Sequence, residues 1–504
     1  MFKIFQGFNL VKAVHESNKE KKATDKGLML KLIKLFIAIT TTLVLWFLPT
    51  TSFGIEGLTL VEHRVLAIFV FATLMWILEA IPAWTTSVLV VVLLLLTTSD
   101  SGFWFMREAT ETTELGKLIS YKALMHCFAD PIIMLFIGGF ILAIAASKVG
   151  LDLQLAKVLL KPFGTKSENV LLGFILVTGL FSMFISNTAT AAMMLTFLAP
   201  VLKTLPADGK GKIGLALSIP IAANIGGMGT PIGTPPNAIA LKYLNDPAGL
   251  DLNIGFGEWM SFMFPLTIAL ILISWFVLRI MFPFKQKTIV LEIQGESKKG
   301  WQTIVVWVTF IITILLWLTD QITGINANVV AMVPVAVFCV TGIITRTDLE
   351  EINWGVLWMV AGGFALGVAL NQSGLAQNVI SAIPFETWSP LAVIIGSGLL
   401  CWLMANFISH TATAALLVPI LAIAGASMKD YLVGVGGVET LLIGVAISSS
   451  IAMILPISTP PNAMAHATGL IEQKDMVKVG VVLGLVGLVL GYGVLIILGS
   501  NGLI

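Results

Sequence analysis

The chain has 504 residues, of which 57% are hydrophobic and only 11% charged, with a mean hydropathy of +0.96. A soluble domain carries about 25% charged residues, so this chain lacks the polar surface to coat a water-soluble fold and must use lipid as its main solvent. The net charge of +1 says nothing about partners, and no nucleic-acid patch or cofactor motif appears. Cys127, Cys339 and Cys401 are far apart, imply neither a metal site nor a disulfide framework, and are expected as ordinary buried thiols.

In chain order, residues 1–34 carry Lys12, Lys19, Lys21, Lys22, Lys26, Lys31 and Lys34 ahead of the first long apolar run. No small-residue cleavage site follows that run, so the pattern reads as a cytoplasmic arm and a first spanning helix over 35–61 rather than a secretory signal. A helix needs about 20 apolar residues to cross the hydrocarbon core. Spans are expected near 32–49, 62–80, 83–98, 128–147, 212–244, 259–283, 301–319, 326–345, 354–371, 438–470 and 476–500. Segments 168–203 and 388–427 are also apolar but broken near the middle by polar clusters, and are expected as re-entrant hairpins. The fold class is an all-α polytopic membrane protein with eleven transmembrane helices and two hairpins. Placing the N-terminus in the cytoplasm puts Lys148, Lys157, Lys161, Lys166, Lys203, Lys210, Lys212, Lys285, Lys287, Lys298 and Lys299 inside and the acidic loop 245–258 outside, as the positive-inside rule requires. The expected location is the inner or plasma membrane, with the C-terminus outside. Asp130 is expected to cap a span, and Glu79 and His466 to be structural.

Three landmarks occur twice. Gly138-Gly139-Phe140 recurs at 362–364, Ser186-Asn187-Thr188-Ala189-Thr190 recurs as Ser409-His410-Thr411-Ala412-Thr413, and Thr234-Pro235-Pro236-Asn237-Ala238 recurs at 459–463, displaced by 223–225 residues each time. The units extend over about 62–290 and 300–504, each with five spans. An odd number of spans inverts the second copy, which is the architecture of secondary transporters.

Four places leave the helix at membrane depth: the two Ser-(Asn/His)-Thr clusters, the stretch 226–236 and the stretch 456–461. Such breaks are tolerated only where they are buried in protein or line a cavity. Gly and Pro cause two of them. Broken helices present amide N-termini that attract anions and carbonyls that suit cations. Neutral Ser, Thr and Asn can hold a multiply charged anion without trapping it. Hydroxyls also act as plain glue between membrane helices, but four clusters paired by a repeat favour a site. Two other classes compete. A membrane-embedded hydrolase using Ser409 and His410 would need adjacent residues to act as nucleophile and base, with no acidic orienter near in sequence. A passive anion channel would not show saturable counterflow.

The paired motifs resemble those of the divalent anion:sodium symporter family of di- and tricarboxylate transporters, over about residues 30–500. The resemblance implies a homodimer whose transport domain moves by an elevator-type motion. It implies C4 or C5 dicarboxylates such as succinate, malate, fumarate or 2-oxoglutarate as substrates. It places Ser186, Asn187 and Thr188 at the first hairpin tip and Ser409, His410 and Thr411 at the second. Thr234 and Pro235, and Thr459 and Pro460, would face these tips across the substrate. A first sodium would use Ser182, Ser186, Asn187 and the carbonyl of Gly233. At the second sodium site the family has Asn where this chain has His410, and commonly Thr where it has Ala405. A histidine can become a cation near neutral pH and replace the charge sodium would bring. The expectation is therefore dicarboxylate exchange without sodium, the alternative being a symporter that uses only the first sodium site.

Overall fold

A computed structural model describes residues 21–109, 113–206, 209–247, 249–289, 300–382 and 388–504. The first twenty residues of the expected arm, and Lys298 and Lys299, lie outside the described residues. The helices of eight residues or more are, in order, α1 (Lys21–Phe47), α2 (Leu60–Leu78), α3 (Ala83–Thr97), α4 (Pro131–Val149), α5 (Leu151–Leu160), α6 (Ser167–Phe184) and α7 (Asn187–Thr204). There follow α8 (Lys210–Gly227), α9 (Pro235–Leu244), α10 (Phe256–Met281), α11 (Trp301–Leu318), α12 (Met332–Val340) and α13 (Trp354–Ser373). The last are α14 (Leu375–Ala382), α15 (Pro390–Phe407), α16 (His410–Ser427), α17 (Gly437–Ser450), α18 (Pro460–Ala467) and α19 (Gln473–Ser500). Among the described residues there is no strand, only isolated bridges at Ser99–Ile119 and Lys166–Thr288, and ten helices are long and apolar enough to cross a membrane.

That number differs from the eleven spans read in the sequence because breaks divide the apolar runs differently. The expected span 212–244 is α8, a non-helical stretch and the short α9; 438–470 is likewise α17, a break and α18. The run 326–345 is two short pieces, Ala327–Val330 and α12. Each expected hairpin is a pair of 18-residue helices, α6 with α7 and α15 with α16, joined through an extended Ile185 or Ile408. At 1.5 Å per residue each arm is about 27 Å long, so α6, α15 and α16 qualify as spans by length.

Two compact units divide the chain. In the first, residues 1–128 and 358–383, α2 packs on α1 and α3. Thr59 and Glu62 form a reciprocal capping box at the start of α2, with Thr59 N donating to Glu62 at 2.8 Å. The other Glu62 oxygen accepts from Asn378 of α14 at 2.6 Å, so a carboxylate 3% exposed has every partner it needs. Glu79 ends α2 in the left-handed region, its N–H donating to the Met75 carbonyl. Large side chains on α1, such as Phe36 and Phe47, are exposed, which in a chain of this composition means facing lipid.

The second unit, residues 129–357 and 384–504, holds both helix pairs and both Thr-Pro-Pro-Asn breaks. Asp130 caps α4, its carboxylate accepting from Ile132 N at 3.0 Å, and is paired with Lys242 of α9. The packing repeats along the chain. Helix α8 lies against α6, α7 and α10, and α17 lies against α15, α16 and α19 in the same order. Helix α9 packs on α16 while α18 packs on α7, so each short helix meets the other copy's hairpin arm. The α6–α8 contact is backbone-close: a Cβ at Gly226 would lie 2.6 Å from Gly179 Cα, so only glycine fits. Cys127 and Cys401 are buried, but Cys339 is exposed on α12, contrary to expectation. Its neighbour Val340 is also exposed, and an apolar thiol loses nothing against lipid.

Candidate functional site

Helices α7 and α16 begin where their chains break, and each break supplies its own cap. The Ser186 hydroxyl accepts from Ala189 N at 3.3 Å, and the Ser409 hydroxyl from Ala412 N at 3.2 Å. This satisfies one of the free amides of each first turn and leaves the others for a ligand. Thr188 and Thr411 are the second residues of these helices. Thr188 is half-buried and Thr411 buried.

The two Thr-Pro-Pro-Asn stretches start α9 and α18 in the same way. Thr234 and Thr459 are extended N-caps, buried, with Pro235 and Pro460 at the first helical position, where no amide is needed. Asn237 and Asn462 then clamp the breaks that precede them. The Asn237 amide donates to the carbonyls of Gly227, Met228 and Thr230 at 3.0, 3.3 and 2.8 Å. The Asn462 amide donates to those of Met453 and Leu455 at 3.1 and 3.0 Å and to Ser458 Oγ at 3.2 Å. These bonds hold buried non-helical backbone whose carbonyls would otherwise be orphaned. The copies are also tied together: Asn224 on α8 donates to Thr459 Oγ1 at 3.3 Å and to Asn462 Oδ1 at 3.1 Å. Sequence reading missed Asn224, and quoted Asn237 and Asn462 in the motif without assigning them a role. A lone Asn within an apolar helix, and the Asn that follows Pro-Pro in both copies, were the available signals.

At the first hairpin three oxygens, Ser182 Oγ and the carbonyls of Ala223 and Gly233, surround the Asn187 amide. Ser182 Oγ donates to the Ala223 carbonyl at 2.8 Å and lies 2.6 Å from the inward atom of the Asn187 amide. The inward atom of the Asn187 amide lies 3.1 Å from the carbonyl oxygens of Ala223 and Gly233. With nitrogen inward, that atom donates to all three oxygens. With oxygen inward, unprotonated oxygens face one another and require a cation between them. If the amide turned its oxygen inward, Ser182, Asn187 and the carbonyls of Ala223 and Gly233 would form a set of neutral oxygens of the kind a hard monovalent ion takes. Ser186 is used as the helix cap. The amide lies tight against Gly227, where a Cβ would come within 2.6 Å of Asn187 Oδ1.

The second hairpin differs. His410 is 5% exposed, and its Nε2 lies 2.7 Å from the Ala452 carbonyl, the counterpart of Gly227. A ring N–H stands where the first copy has an amide. Ala405, in place of Ser182, offers no oxygen. Its neighbour Asn406 turns its amide to Trp402 O and accepts from Ile454 N at 2.8 Å, a structural use.

Broken helices that pair across two copies, inside an all-helical membrane fold, define a membrane transporter. The backbone is similar to that of the Alcanivorax borkumensis YdaH transporter, with a TM-score of 0.57 at 13% identity, covering 83% of this chain and 98% of that one. The family model for the sodium:sulfate symporter transmembrane region matches residues 29–500. The chain belongs to that family, the divalent anion:sodium symporters. Among its relatives, the sodium-dependent dicarboxylate transporter SdcS of Staphylococcus saprophyticus is 29% identical over 94% of this chain and 92% of its own. An uncharacterized transporter of Haemophilus influenzae is 31% identical over 84% and 88%.

Proposed function

We propose that the protein is a secondary transporter of small dicarboxylates such as succinate, malate, fumarate and 2-oxoglutarate, coupled to sodium through the Asn187 cluster alone. The observation that carries this reading is the convergence of Ser182, Asn187, Ala223 O and Gly233 O beside the first break. A dianion at membrane depth needs compensating charge. The first-turn amides of α7 and α16, with Thr188, Thr411, Thr234 and Thr459, supply hydrogen bonds to its carboxylates, and sodium supplies charge. The recurrent packing of the two copies supports the repeat; in this reading the second copy is inverted, the hairpins re-enter, eleven helices span, and the transporter is a homodimer that moves by an elevator-type motion, as the family resemblance implies. The N-terminus is cytoplasmic and the C-terminus outside in this reading.

The sodium-free exchange expected from sequence is the second reading, favoured by the lack of oxygen ligands at the second break, where Ala405 stands in place of Ser182 and His410 is held on the Ala452 carbonyl. A protonated His410 would leave the empty carrier with an unpaired charge and make its return slow, so that only loaded carriers cross. Uptake of labelled succinate into liposomes separates the two. The sodium reading requires uptake into empty vesicles driven by a sodium gradient. Uptake that persists in choline buffer, needs internal dicarboxylate and collapses in His410→Ala establishes exchange. No dicarboxylate flux in either mode refutes both. The double change His410→Asn with Ala405→Thr should raise the number of sodium ions moved per substrate.

A further inference from the structure

In the second unit, α4, α5, α6 and α11 enclose a cleft of about 320 Å³. It is open on one side and its exposed wall is apolar. Leu155 and Leu159 of α5, Leu180 and Phe184 of α6, and Phe310 and Ile314 of α11 line it. The wall continues through Ile185, the residue before Ser186, so the cleft lies directly behind the first hairpin tip.

We propose that this cleft is a lipid site that takes one acyl chain of an anionic membrane phospholipid. Three observations select that occupant. The exposed wall is apolar, because Asp152, the one charged residue in the lining, is bonded to Ser147 Oγ and Leu153 N, so a polar ligand would be stripped of water without return. Its mouth is bordered by Leu180, Ile311 and Leu315, which are 38%, 47% and 54% exposed on membrane-length helices. What reaches such a mouth in a bilayer is a lipid tail. An apolar void in lipid is filled for the packing contacts it otherwise lacks, not for release of water.

The anionic head follows from α5. Its leucines at 151, 155 and 159 recur every four residues and turn toward the cleft, while Lys157 falls on the opposite side and Lys161, just past its end, on the flank. A short helix with one leucine face and one lysine face lies in the interface plane. Polar contacts cluster at that level: Ser147 to Asp152 at 2.7 Å, Trp307 Nε1 to Gln154 at 3.3 Å, and the Lys148–Asp348 ion pair at 2.5 Å. Lysines at the headgroup level attract phosphate-bearing lipid. A chain held here packs against the last turn of α6 and restrains the hairpin arm.

The test needs no transported substrate, so its result is independent of the dicarboxylate reading. The full-length protein in vesicles of phosphatidylglycerol is photolabelled with a phosphatidylglycerol carrying a diazirine in its acyl chain, and labelled peptides are mapped. Label should concentrate several-fold on residues 151–160, 180–185 and 307–315 relative to α1, whose apolar side chains are at least as exposed. Leu155→Trp, which fills the cleft, should remove that excess and leave α1 unchanged, with the smaller Leu159→Phe acting in the same direction. A matched phosphatidylcholine probe should label the cleft less. Labelling in proportion to exposure, an excess that survives both substitutions, or equal labelling by both headgroups overturns the proposal.

Discussion

Replacing Ser182 by alanine separates a cation site from a hydrogen-bonded knot, because the Ser182 hydroxyl is fully buried and touches both Asn187 and the Ala223 carbonyl. Losing one such partner costs about 1–3 kcal/mol when buried acceptors are left behind. If the cluster holds sodium, that loss falls on sodium binding, and each 1.4 kcal/mol is about a tenfold change in affinity. The half-saturating sodium concentration for uptake should therefore rise about tenfold to a hundredfold. The dicarboxylate KM at saturating sodium should stay near that of the unaltered protein. Thermal unfolding gives an independent reading, since a ligand that binds only the folded state stabilises it in proportion to the logarithm of its concentration. Sodium should raise the unfolding temperature of the parent protein, and the same stabilisation in Ser182→Ala should need correspondingly more sodium. A variant whose unfolding temperature drops equally with and without sodium, while its sodium requirement is unchanged, would refute the cation reading and leave Asn187 as a donor to three oxygens.

Thr188→Ala and Thr411→Ala should each weaken substrate by about 1.5–3 kcal/mol, the range for hydrogen bonds to charged groups, while folded protein still reaches the membrane; transport KM is the measurement. Asp348, in the short helix Arg346–Leu349 before α13, is pulled down to about 2 from an ordinary 3.8: burial opposes ionisation, but bonds from Lys148, Thr345 Oγ1 and Thr345 N outweigh it. Its stabilisation is therefore complete above about pH 3.8 and is lost as pH falls through about 2; Asp348→Asn should lower thermal stability at neutral pH and flatten that acid limb. Single cysteines at 249–257 and at 285–289 should be labelled from opposite sides of the membrane, since the proposed topology puts α10 between them; labelling from one side would exclude it.

The amphiphilic outline of the fold was legible because lipid leaves so few solutions: apolar runs of about 20 residues are helices, and Pro-Pro breaks one wherever it falls. Lengths were less legible. The sequence cannot say whether 212–244 is one helix or two, because Gly226, Gly227 and Gly229 allow either path until Asn237 gathers the carbonyls of the break. Ser182, Ser186 and Asn187 stood out by type and spacing, and the structure brings Ser182 and Asn187 together. Ala223 contributes only a backbone oxygen, which no residue name reveals. Asn224 reaches across to Thr459 and Asn462, a contact over 235 and 238 residues of chain.

The difference between the two hairpins follows from what each break must neutralise. Both place the start of a helix, with its free amides and positive end, next to a turn of exposed carbonyls. At the first break Asn187 presents either an oxygen or an N–H to the carbonyls of Ala223 and Gly233, so the same side chain serves the site with a cation or without one. At the second, His410 has no oxygen to turn inward. Its ring spans to Ala452 through Nε2, and a nitrogen 2.7 Å from a carbonyl must carry the proton. The bond is satisfied whether or not sodium is present, and Ala405 supplies no oxygen that would reward displacing it. A cation entering there would have to break this bond and find fewer ligands than the first site offers. One copy thus keeps a side chain that can turn either a donor or an acceptor inward, while in the other the ring N–H is committed to Ala452 and Ala405 adds no oxygen; in the proposed reading the Asn187 cluster is where an ion gradient would act.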